Sequence, residues 1–175
     1  GGEAYSVQQT TDGGYIVAGG SSDSRVWVLK LNSTGGVTWQ KTCGASGSKA
    51  YSVQQTSDGG YIVAGGPGIF GSPGDVWVGK LDSTGGVTWQ KTYGGSHTDW
   101  AYSVQQTSDG GYIVAGDTYS FGTGADDFYV LKLDSTGGVT WQNAYGGSPK
   151  SDCAYSVQQT SDGGYIVAGY AYSFG

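Results

Sequence analysis

The side chains best equipped for chemistry lie in short segments rich in Gly and Ser. Phe70, Trp100, Tyr119, Phe121, Tyr172 and Phe174 stand close in sequence to His97, Asp99, Asp126, Asp127 and Asp152. An aromatic face beside carboxylates and hydroxyls can stack on a sugar ring or a peptide group and accept its hydrogen bonds. Phe70, His97, Asp99, Trp100, Tyr119, Phe121, Asp126 and Asp127 are therefore the candidate ligand-binding residues. The competing structural reading is that these rings cap a core. It is favoured for "YSFG", because that motif occurs twice, at 119–122 and 172–175.

Catalysis has less support. His97 is the only histidine, and no G-x-S-x-G nucleophile motif accompanies it. Asp126 and Asp127 are adjacent, so on a strand they would point to opposite faces, and their surroundings lack the D-x-[DN]-x-[DN]-G calcium spacing. No metal, cofactor or catalytic role is expected. A glycan-cleaving enzyme would need carboxylates from several repeats to converge about 5–10 Å apart. Cys43 and Cys153 form no C-x-x-C pair. Cys43 stands where sister repeats have Tyr93 and Tyr145, and Cys153 where another has Trp100, which suggests small buried hydrophobes in separate repeats rather than a disulfide.

The elements that must position these residues are written as a repeat. "AYSVQQT" begins at Ala4, Ala50, Ala101 and Ala154, and each full unit reads as four strands: "YSVQQT", "GYIVAG", a run such as "VWVLKL", and "GVTWQKT". Asp-Gly-Gly joins the first two strands, where positive φ at successive positions would make a tight hairpin, and "DSTGG" (82–86) joins the last two. Asp12, Asp58, Asp109 and Asp162 are thus turn residues. In "VWVLKL" hardly any polar face remains, as expected of a sheet covered on both sides. Gln8, Gln9 and their copies lie on the innermost strand, where they would form amide ladders between units or line a polar channel.

Four-stranded antiparallel units repeated at this length, stacked face to face, make an all-β, β-propeller-type domain. The blades span about 4–49, 50–100 and 101–153, with a half blade at 154–175, all within one domain of 1–175. Composition agrees: 35 of 175 residues are Gly, with 14 Tyr and 6 Trp, but only 3 Pro and no Gly-X-Y period. A net charge of -6 without a basic stripe argues against a nucleic-acid partner. No apolar stretch is long enough to span a membrane, so insertion is not expected. Few Lys and Glu, abundant Ser, Thr and Tyr, and a sequon at Asn32-Ser33-Thr34 suggest an extracellular or cell-surface location.

The pattern "YSVQQTSDGGYIVAG...VWVLKL" resembles WD-repeat blades, and "LDSTGGVTW" (81–89 and 133–141) resembles the Trp-docking turn of quinoprotein-type propellers. Taken whole, the unit is similar to repeat propellers of secreted bacterial and archaeal proteins, largely without assigned function. The resemblance implies a fold over nearly all the chain and no particular activity.

The count of blades is uneven. Four first hairpins and three second hairpins make three and a half blades, and two chains do not complete a regular seven-bladed ring. The last copy is almost unaltered, so it reads as an internal unit of a longer array; a four-bladed ring with a short last blade and edge-to-edge self-association are the other readings. Turns at one end of the blades barely change between units. The loops and links at the other end, such as "GPGIFGSPGD", "DTYSFGTGADD" and "YGGSHTDW", differ in length and content. That variable face is where a glycan or protein partner is expected, on a rigid non-enzymatic binding or scaffold module.

Overall fold

The computed structural model describes residues 2–67, 74–123, 125–147 and 149–173, and these form strands and turns with no helix. Blade 1 comprises β1 (Glu3–Gln9), β2 (Tyr15–Gly20), β3 (Val26–Leu31) and β4 (Val37–Cys43). Blade 2 comprises β5 (Ser48–Gln55), β6 (Tyr61–Pro67), β7 (Val76–Leu81) and β8 (Val87–Tyr93). Blade 3 comprises β9 (Asp99–Gln106), β10 (Tyr112–Thr118), β11 (Asp127–Leu133) and β12 (Val139–Tyr145). The pair β13 (Asp152–Gln159) and β14 (Tyr165–Ala171) makes a half blade. Each blade is an antiparallel meander in chain order, and the four sheets are separate.

The turns are set by side chains as well as by glycine. In the first hairpin, Thr10 N–H bonds Gly14 O and Gly13 N–H bonds Thr10 O, both at 2.9 Å, which makes a three-residue loop. Only Gly13 takes positive φ there, at 78°, so one left-handed position suffices where two in succession were expected. Asp12 Oδ1 accepts the Thr10 hydroxyl at 2.5 Å and the Gly14 N–H at 3.0 Å, fixing the loop. A buried lysine then ties the turn to the third strand: Lys30, Lys80 and Lys132 reach Asp12, Asp58 and Asp109 at 2.8, 2.9 and 2.9 Å. Each ammonium also donates to the carbonyl of the next residue, Leu31, Leu81 or Leu133.

Stacking of the blades makes the core. Ile16, Ala18 and Val28 of blade 1 pack against Val53, Tyr61 and Val63 of blade 2. Ile62, Ala64 and Val78 of blade 2 meet Val104, Tyr112 and Val114 of blade 3 in the same way, and Ile113 and Ala115 meet Val157 of the half blade. Each isoleucine at these junctions is fully buried and contributes about 2 kcal/mol. The indoles of Trp39, Trp89 and Trp141 stand edge-on to Tyr61, Tyr112 and Tyr165 of the following blade, with centroids 5.7, 5.8 and 5.7 Å apart. Burial follows position in the stack: β6 and β10 are buried along their whole length, whereas the corresponding β14 of the half blade is mostly exposed.

The glutamines join blades by a route other than amide ladders. Gln8, Gln54 and Gln105 each accept a backbone N–H of the next blade, from Gln55, Gln106 and Gln159, at 2.6, 2.6 and 2.8 Å. The second glutamine answers in the opposite direction: Gln55, Gln106 and Gln159 accept the N–H groups of Thr11, Ser57 and Ser108 in the preceding blade. Each first strand is an edge strand with backbone donors on its open side, and these side chains satisfy them. Cys43 lies in the first junction opposite Val26, as Tyr93 lies opposite Val76. Cys153, opposite Tyr170, is buried beside Asp117, and both cysteines are free thiols.

Candidate binding face

The variable loops and links gather at one end, where the candidate residues divide between two blade junctions. At the junction of blades 2 and 3, Asp99 opens β9 and is fully buried. Its Oδ2 accepts the Gly95 N–H at 3.1 Å and the Ser120 hydroxyl at 2.7 Å, while Oδ1 accepts the Thr118 hydroxyl. Trp100 is only 3% exposed, donates its indole N–H to Pro67 O at 3.0 Å and meets Tyr119 edge-on. Tyr119 itself is 42% exposed. Phe121 packs on Tyr129, with centroids 5.5 Å apart, against the core between blades 2 and 3. His97 is exposed, with Nδ1 2.9 Å from its neighbour Ser96 Oγ, and its backbone N–H is held by Ser120 Oγ. Phe70 and Phe174 lie outside the described residues.

The rings thus divide between the two readings. Tyr119 faces solvent, but Trp100 and Phe121 fill gaps, because the strand pairing Asp117↔Trp100 places the indole inside the junction. "YSFG" has a structural task as well: Ser120 bonds Asp99, and Ser173 of the second copy bonds Asp152.

The junction of blade 3 and the half blade holds Asp126, Asp127 and Asp152. Asp127 Oδ2 accepts the Thr123 N–H at 2.7 Å, whereas Asp127 Oδ1 and Asp126 Oδ1 are buried without a hydrogen-bond partner among the described residues. Both carboxylates are buried; Asp126 precedes the start of β11, and its carbonyl receives the Asp152 N–H at 2.7 Å. Gly146 makes room for this pairing across the link. A methyl group there would overlap Asp127 Oδ1 and stand 2.6 Å from Asp152 Oδ2, and Gly94 plays the same part between Asp75 and Asp99.

Asp117 lies between the two junctions. Burial, reinforced by the charge of Asp126, raises its carboxyl to about 7, against partial relief from Cys153 and Tyr102. Asp75 is raised by burial and then by Asp99. For Asp152 burial opposes ionisation, but the Ser173 hydroxyl and the Ser173 and Tyr172 backbone N–H groups outweigh it and hold the carboxyl low. The Cys153 thiol is pushed up by burial and then by Asp117. This end of the molecule gathers buried carboxyl groups, two of them with an oxygen that no described residue partners, a setting that favours an arriving donor. No group of three or more His, Cys, Asp or Glu side chains suited to a metal ion occurs among the described residues.

Asp75 and Asp117 were not singled out from the sequence. Asp117 had a signal: it occupies a position that is Gly20, Gly66 or Tyr170 in the sister units, a lone acid at an apolar strand end. The lysines under the turns were also legible as a fixed Lys in an otherwise apolar run.

The architecture is that of a β-propeller arc. No protein-family model and no curated protein matches the chain. Among solved structures it is similar to a protein of unknown function from Bacteroides caccae, at TM-score 0.61 and 17% identity, covering 96% of this chain and 53% of that one. It is similar also to the Pan2 WD40 domain of Neurospora crassa, at TM-score 0.65 and 12% identity, covering 96% of this chain and 44% of that one. At such identities the likeness concerns the fold alone, and the chain spans about half the length of the structures it matches.

Proposed function

We propose that this chain is a non-enzymatic binding or scaffold module, working at or outside the cell surface, that takes a protein partner on its variable-loop face. The observation that carries this reading is the pair Asp126 and Asp127, each with one buried carboxylate oxygen that no described residue satisfies. A buried acceptor left without a donor costs about 1–3 kcal/mol, which a ligand supplying the donor recovers. Both open groups are acceptors, so a Lys or Arg side chain of the partner, which brings several N–H donors, suits the site better than a neutral group. A glycan finds less here, because Trp100 and Phe121 are engaged in packing, which leaves Tyr119 and Tyr172 as the open rings among the described candidates.

Calorimetric titration with Lys- and Arg-bearing peptides tests the reading. Binding should weaken about tenfold or more in Asp126→Asn/Asp127→Asn and persist in Asp162→Asn at the opposite end. Peptides that fail to bind, or that bind both variants equally, would remove the loop face as the site. A rival reading as a glycan-cleaving enzyme has the raised Asp117 carboxyl beside Asp126 in its favour. Turnover of glycans abolished by Asp117→Asn would replace the binding reading. Fractionation of cells making the protein tests its location.

A further inference from the structure

The two outer faces of the stack carry matching parts of the internal junction, except that Tyr170 stands on β14 where Gly20 and Gly66 abut the next blade. At the three internal junctions the same contacts recur: a serine accepts the N–H of a valine in the next blade, at 3.2, 3.1 and 3.2 Å for Ser6–Val53, Ser52–Val104 and Ser103–Val157. Beside each lies the reciprocal glutamine pair. By position, β13 presents the giving half of this set, Ser156 and Gln158, and β1 presents the receiving half, the Val7 and Gln9 backbones with the Gln9 side chain.

The apolar parts match too. Val53, Val104 and Val157 are 5–6% exposed, whereas Val7 on the outer face of β1 is 66% exposed. Ile16, Ile62 and Ile113 are fully buried, whereas Ile166 on the outer face of β14 is 60% exposed. A column of tyrosines, Tyr5, Tyr51, Tyr102 and Tyr155, runs through the stack with centroids 5.1, 5.5 and 5.4 Å apart; Tyr5 and Tyr155 are exposed, and Tyr155 also meets Tyr170 of its own hairpin at 5.8 Å. The contacts between blades are carried chiefly by the inner hairpin of one blade against the first strand of the next, for example β10 on β13 and β2 on β5. The half blade possesses that hairpin.

We propose that a second copy of this chain docks head to tail, with the outer face of β1 in one copy seated on the outer face of the β13–β14 hairpin in the other. Val7 then meets Ile166, Tyr5 comes beside Tyr155 and Tyr170, and the Gln158 side chain receives the Gln9 N–H. The contact is heterologous, so copies joined this way form either a closed ring or a row.

Light scattering and sedimentation of the 175-residue chain test this. Association should depend on concentration and weaken about 100-fold in either Val7→Asp or Ile166→Asp, since a carboxylate would be buried without a partner. Both positions are exposed in the single chain, so both variants should fold, as circular dichroism of each will show. Mixing the two variants should restore a complex, because one keeps an intact head and the other an intact tail. A wild-type chain that stays monomeric up to about 1 mM, or a mixture that shows no recovery, overturns the proposal.

Discussion

The ammonium of Lys80, buried in β7, stands 2.9 Å from the carboxylate of Asp58 in the turn between β5 and β6. This pair, with its equivalents in blades 1 and 3, locks the first hairpin of each blade to the third strand. Among the described residues the buried Lys80 ammonium is held by that carboxylate and the Leu81 carbonyl.

Removing the ammonium while keeping the stem, as in Lys80→Met, should cost about 1 kcal/mol, since Asp58 is largely exposed and stays hydrated. The Thr56 hydroxyl first, and Lys80 as a further cause, hold the Asp58 carboxyl at about 2, below its ordinary value near 3.8. A depressed carboxyl stabilises the fold above its unfolded value, and the contribution is lost as pH falls from about 4 to about 2. Urea midpoints at pH 7 and pH 3 will show a smaller acid loss in the variant than in the wild type.

Asp117 has the opposite sign. With its folded carboxyl raised to about 7, the folded chain holds a proton that the unfolded chain releases near pH 4. Stability from this group is full below about pH 4 and declines as pH rises to 7, with a slope of at most about 1.4 kcal/mol per pH unit. Asp117→Asn should therefore gain stability relative to the wild type at pH 8 and little at pH 4, as read by thermal melting at the two values.

Gln54→Ala should leave the Gln106 N–H without its acceptor across the junction of blades 2 and 3. The expected loss is about 1–2 kcal/mol, and the Gln106 amide should exchange its hydrogen faster than in the wild type.

Gly146→Ala should destabilise the chain by about 1–3 kcal/mol, since the added methyl collides with the Asp127 carboxylate in a packed junction. Shortening the obstacle in Gly146→Ala/Asp127→Ser should recover part of the loss in urea unfolding.

The blades were legible because branched and aromatic runs, Asp-Gly-Gly turns and a repeated order of strands are local signals. The third strands, such as Val26–Leu31, read from their residues as covered on both faces; β7 is buried throughout, whereas β3 in the outermost blade alternates buried and half-buried positions. The site was legible only in part. Tyr119 and Asp99 fall at the variable end as the loops imply, but nothing in "TDWAYS" says that Trp100 turns into the junction while Tyr119 turns out.

By itself, then, the sequence determined strand type, hairpin position and the division into a constant and a variable end, all of which depend on residues a few places apart. Tertiary structure alone decided which groups meet: Gln8 with the Gln55 backbone 47 positions away, and Asp127 with Asp152 across Gly146. The same Val-Gln-Gln segment is buried at Val53 and exposed at Val7, because burial belongs to the neighbouring sheet rather than to the segment.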